Sequence, residues 1–124
     1  MGRCMESRFV QAGQARLEYF EQGHGLDTLV LVHGYASSAA IWRYTRKFLS
    51  EERFRVIVLN NRGAGNSDRA PADGPFKEDD YSVETFVKDL FNATEALGLE
   101  GYTLVGHSMG GATVTQYALE HQDR

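Results

Sequence analysis

Three short aliphatic runs, each ending in a turn of small or polar residues, constrain this chain more than any other feature. Thr28–His33 contains Leu29-Val30-Leu31-Val32, Phe54–Asn60 contains Val56-Ile57-Val58-Leu59, and Tyr102–Gly106 contains Leu104-Val105. Continuous apolar runs of this length suit strands buried on both faces. Helical patterns separate them. Ser38 can cap a helix reaching Leu49, with Ile41, Trp42, Thr45, Phe48 and Leu49 on one side. Ser82 can cap a second, in which Val83, Phe86, Val87, Leu90, Thr94 and Leu97 recur at helical spacing until Gly98 stops it. A third runs from about Met109 to His121. Ahead of the first run, Gln14–Glu21 alternates Ala15, Leu17 and Tyr19 with polar residues, the pattern of a half-buried strand. Strands alternating with helices predict an α/β fold: a mostly parallel sheet with flanking helices, joined by right-handed crossovers. Residues 1–13 read as an N-terminal leader and residues 14–124 as a single, partial domain.

Composition narrows the function classes. The chain has 124 residues, 13 basic and 17 acidic, for a net charge of −4. No basic surplus exists to neutralise phosphates, which argues against nucleic acid. No apolar run has membrane-spanning length, and Met1–Glu6 has no apolar signal region. The single cysteine, Cys4, has no partner for a disulfide, and a reduced, cytoplasmic setting is expected. No cofactor or metal is expected. Gly63-Ala64-Gly65 lacks the third glycine of a dinucleotide fingerprint, and the four histidines show no metal-ligand spacing.

The chemistry points to Gly106-His107-Ser108-Met109-Gly110, a G-x-S-x-G pattern directly after the third strand and at the start of a helix. A strand turning sharply into a helix holds the intervening residue in a strained, exposed conformation. The flanking glycines admit neighbouring backbone. A serine that only capped the helix would need neither glycine. The long polar loop from Asn61 to about Tyr81, with Gly63, Gly65, Pro71, Gly74 and Pro75, also reads as functional.

These residues carry a resemblance. His33-Gly34-Tyr35 follows the first buried strand, Asn61–Asp68 follows the second and Gly106–Gly111 follows the third. In that order they resemble the His-Gly motif, the Arg-Gly-x-Gly-x-Ser loop and the nucleophile elbow of the α/β-hydrolase fold family. The resemblance covers about residues 8–124. It implies Ser108 as nucleophile, with the Met109 and Tyr35 N–H groups as oxyanion donors. It makes His33, with Gly34, a structural element of the oxyanion loop. His107 either lines the pocket or packs. Trp42, Met109 and the 66–81 loop would border the pocket. Arg62 and Asp68 would fix their loop by hydrogen bonds and charge pairing. Asn60 stands where many relatives have Asp, which predicts weaker anchoring of the arginine.

A serine nucleophile needs a base and an orienting acid, which follow it in this fold. The 16 residues after Ser108 hold Glu120, His121 and Asp123 as their acids and histidine. His121 lies roughly 20 Å away along a helix, at 1.5 Å per residue. His24 lies at the opposite edge of the sheet. The chain is therefore expected to be the N-terminal portion of a longer enzyme, inactive alone, with the outer side of the Tyr102–Gly106 strand unpaired. The expected function is a serine hydrolase, esterase- or lipase-like, cleaving a small-molecule acyl substrate through an acyl-enzyme on Ser108. An Asp at 108 would have suggested a dehalogenase or an epoxide hydrolase. The alternative is a truncated, non-catalytic chain that binds a ligand or partner, or self-associates through the exposed sheet edge.

Overall fold

The computed structural model describes residues 6–69 and 78–122. Its strands are β1 (Arg8–Ala12), β2 (Ala15–Gln22), β3 (Asp27–Val32), β4 (Phe54–Leu59) and β5 (Tyr102–Gly106), and its helices are α1 (Val83–Ala96) and α2 (Met109–Glu120). The strands form one sheet in the order β1-β2-β4-β3-β5. The three aliphatic runs pair in parallel at its heart: Val30 lies opposite Ile57 on one side and Leu104 on the other. The sheet is mixed, because β1 and β2 form an antiparallel hairpin and β2 joins β4 antiparallel. A connection as short as Gly13-Gln14 can only reverse the chain, whereas parallel pairing needs a crossover.

Residues 8–12, read from sequence as part of a leader, form β1. Val10 and Ala12 face inward and are buried, a pattern too brief to stand out without its partner strand. Cys4, Pro71, Gly74 and Pro75, singled out from the sequence, lie outside the described residues.

Alternate residues of the central strands feed two apolar clusters. Val30, Val32, Ile57 and Leu59 join Val87, Leu90 and Tyr117 on the face covered by α1 and α2. Leu31, Val56 and Val58 join Ala39 and Trp42 on the other. Burial on both faces is the reason these strands read as unbroken aliphatic runs. The helix capped by Ser82 forms as expected, with Ser82 Oγ accepting from Thr85 N–H at 3.2 Å.

The helix expected over 38–49 does not form. Two 3₁₀ turns, Ala39–Trp42 and Thr45–Phe48, take its place. Ser38 does cap the first, but only Ala39 and Trp42 are buried, while Phe48 is 87% exposed. Without a continuous buried stripe, tertiary packing does not hold a regular helix together here.

Candidate active site

β5 ends at Gly106 and α2 begins at Met109, so His107 and Ser108 make the whole turn. Ser108 has φ 58° and ψ −120°, a conformation costing an L-residue roughly 1–3 kcal/mol. The surrounding main chain imposes it. A Cβ on Gly106 would lie 2.3 Å from Gly110 O, and one on Gly110 would lie 2.2 Å from Val32 O. Only glycine lets β5, α2 and the end of β3 meet so closely. Ser108 is exposed, and its hydroxyl caps no N–H of α2, so helix capping does not account for it.

Gly34 brings the loop after β3 against this turn: a Cβ there would lie 2.9 Å from both Ser108 Cβ and His107 O. Met109 opens α2, where the first N–H groups have no partner within the helix. Tyr35 N–H donates to no backbone oxygen among the described residues. Both donors therefore stand on the two segments that meet at Ser108.

His33 is buried, and both ring nitrogens are engaged. Nε2 accepts from Asn61 N–H at 3.0 Å, so Nδ1 carries the proton and donates to Gly34 O at 2.7 Å. Burial pushes its pKa below the ordinary imidazole value, against the opposing hydrogen bond to Gly34. The neutral ring ties the loop after β3 to the loop after β4 and offers no vacant nitrogen to a proton from Ser108.

A cavity of about 450 Å³ opens at the carboxyl ends of β3 and β4, lined in part by His33, Gly34, Tyr35, Tyr81 and Met109. Trp42 and His107, expected near its border, are not among its lining residues. Trp42 is drawn into the core beside Leu31 and Val58, with the His107 ring edge-on at 6.4 Å between centroids. The Trp42 Nε1–H is buried and has no partner among the described residues. A larger hollow, about 630 Å³, lies along β5 and α2 among Tyr102, Leu104, Tyr117 and Leu119, away from the serine turn.

Arg62 and Asp68 both fix the loop after β4 by hydrogen bonds, as expected, and Arg62 by charge pairing as well. Arg62 does not reach Asn60 or Asp68; its guanidinium forks onto Asp89 of α1 at 2.6 and 2.8 Å. Asp68 instead accepts from Arg16 N–H at 2.8 Å. Asn60 is bound to Glu18, a buried carboxylate that also receives the Asn66 N–H and side-chain amide at 2.9 Å and the Ser7 hydroxyl. Burial alone would raise the Glu18 pKa; these hydrogen bonds from Ser7, Asn66 and Asn60 outweigh it and hold the carboxyl below its usual range. Sequence reasoning missed Glu18 and Asp89. The readable signal for Asp89 was an acid set within the apolar stripe of Phe86, Val87, Leu90 and Ala93.

The histidines are placed as follows, with the His107 ring turned edge-on to Trp42 at 6.4 Å. His33 is engaged as above, and His121 stacks on Phe91 at 4.4 Å beyond the far end of α2. His24 precedes β3, at the opposite end of that strand. Among the described residues no group of His, Cys, Asp and Glu is arranged to hold a metal ion, and no helix is long and apolar enough to cross a membrane.

A family model described as the alpha/beta hydrolase fold matches residues 27–124. Over 100 residues the chain is 38% identical to the Caulobacter segnis protein named carbamate hydrolase RutD, covering 81% of this chain and 35% of that protein. It is 33% identical over 109 residues to bifunctional epoxide hydrolase 2 of Sus scrofa, covering 88% of this chain and 19% of that one. The crystal structure of epoxide hydrolase A from Mycobacterium thermoresistibile superimposes with a TM-score of 0.83 at 27% identity, covering 98% of this chain and 37% of that chain. The chain thus spans well under half the length of each of these proteins.

Proposed function

Because this chain belongs to the α/β-hydrolase fold family, we propose that it carries the nucleophile of a serine hydrolase acting on an ester or related acyl substrate. Ser108 Oγ attacks the carbonyl carbon and gives its proton to a histidine supplied outside these residues. The Tyr35 and Met109 N–H groups hold the oxygen as it becomes negative. The tetrahedral intermediate expels the alcohol, leaving an acyl group on Ser108. Water then releases the acid and regenerates the hydroxyl.

One observation supports the reading: an exposed serine that caps no N–H is held at positive φ against Gly34, the residue before Tyr35. Two of the similar proteins are named epoxide hydrolases, a chemistry for which Asp would be expected at position 108. Ser at that position favours acyl transfer instead. The relative named a carbamate hydrolase supports this choice, since a carbamate is itself an acyl substrate.

The engagement of both His33 nitrogens and the position of His121 beyond the far end of α2 favour one second reading, a non-catalytic chain that binds a ligand or partner. The polypeptide as its source makes it should separate the two. We expect a fluorophosphonate to label Ser108, read by peptide mass spectrometry, and Ser108→Ala to lower turnover of 4-nitrophenyl acetate by about 10³-fold or more. An unlabelled Ser108 with equal turnover in both proteins favours the second reading.

A further inference from the structure

We propose that the cavity beside Ser108 takes an acyl group bearing an anion, and that Arg69 recognises it. The proposal rests on the serine-hydrolase reading and specifies its substrate class.

The argument is one of charge balance. The chain carries 17 acidic and 13 basic residues, yet among the described residues no Asp or Glu lines this cavity. Its charged lining residues are Arg62 and Arg69. Arg62 is neutralised by the Asp89 fork at 2.6 and 2.8 Å. Arg69 makes no ion pair among the described residues. Among the described residues one guanidinium therefore remains uncompensated in the lining of a cavity shared with Gly34, which packs against Ser108, and with Met109, which follows it. A planar guanidinium suits a carboxylate, which it binds through two parallel hydrogen bonds. A local positive charge on a net-negative protein also draws small anions to this mouth. At about 450 Å³ the cavity has the size of a small-molecule site. A short acyl chain ending in a carboxylate would place its ester carbonyl at the serine turn and its anion at Arg69.

Two measurements on the polypeptide as its source makes it test this. The first is an NMR titration with butyrate and with butyramide, a neutral isostere, following the Gly34 and Met109 amide resonances. Butyrate should saturate these shifts at about tenfold lower concentration than butyramide. Arg69→Gln should erase the difference and Arg69→Lys should keep part of it. Equal saturation by the two probes, no saturation by either, or a difference that survives Arg69→Gln would overturn the proposal. The second measurement is the ratio of kcat/KM for 4-nitrophenyl hemisuccinate over 4-nitrophenyl butyrate. Arg69→Gln should lower that ratio at least tenfold, chiefly through KM. Esters cleaved through Ser108 with an unchanged ratio would overturn the role of Arg69 alone. A positive titration without Ser108-dependent cleavage would overturn the serine-hydrolase reading alone.

Discussion

The Asn60 side chain bridges two segments at once: its Nδ2 donates to Glu18 Oε1 at 2.8 Å, and its Oδ1 accepts from Ala39 N–H at 2.8 Å. One amide thereby links β2 to the first 3₁₀ turn, four residues beyond Tyr35. An aspartate could accept from Ala39 but could not donate to Glu18. An amide at this position is thus matched to the carboxylate beside it.

Asn60→Asp should therefore be far from conservative. It sets two carboxylates against each other in a buried site and should cost about 2–4 kcal/mol of stability at neutral pH. Adding Glu18→Gln should recover a large part of that loss, because the new amide can donate to the new carboxylate. Urea unfolding of the two single variants and the double variant measures the coupling. A double variant no more stable than Asn60→Asp would show that the pair is not coupled.

Acid should weaken the fold in two stages. His33 has a lowered pKa in the folded chain, so the unfolded chain takes up its proton first. Its contribution is intact above the ordinary imidazole value and is lost as pH falls from there toward the lowered folded value. Glu18 is also lowered, so its contribution is intact above the ordinary carboxylate value and is lost as pH falls through the lowered one. Melting temperature against pH should show both declines, and Glu18→Gln should flatten the lower one. The His33 ring Hε1 resonance should stay unmoved across the ordinary imidazole range. A normal titration curve for that proton would contradict the buried, doubly bonded ring.

The Arg62–Asp89 fork is buried on both sides, with 14% and 4% side-chain exposure. Asp89→Asn should cost about 3–5 kcal/mol, because it leaves a guanidinium without its counter-charge. Arg62→Lys should be only a partial substitute, since an ammonium cannot reproduce the two-pronged contact. Chemical denaturation reads both, and a change below 1 kcal/mol in Asp89→Asn would mean that water already screens the pair.

Ser108→Gly should be more stable than Ser108→Ala by about 1 kcal/mol, since glycine occupies φ 58° freely and alanine does not. Both lack the hydroxyl, so the difference isolates backbone strain from chemistry. Differential scanning calorimetry of the two variants provides the comparison. Equal melting temperatures would mean the turn relaxes once the serine is gone.

What the sequence made legible was local. The runs around Leu31, Val58 and Leu104 declared their strands because burial on both faces leaves no polar position to confuse the pattern. The serine turn was legible because two glycines and a serine occupy five consecutive residues. The segment 38–49 was misread because helical spacing was present but a surface to bury it was not: Ile41 and Phe48 remain exposed. Glu18 and Asp89 were missed because their partners lie 42 and 27 residues away, beyond any periodicity. Asn60 was singled out for the right position but assigned the wrong neighbour.

The contacts that fix Ser108 run from main chain to main chain, through Gly106, Gly110 and Gly34. Such a scaffold is indifferent to the identity of the intervening side chains. The side chains of His107 and Met109 are not among these contacts, much as a tool holder grips the shank and not the bit. The bearing of the serine is thus set by backbone approach at three glycines.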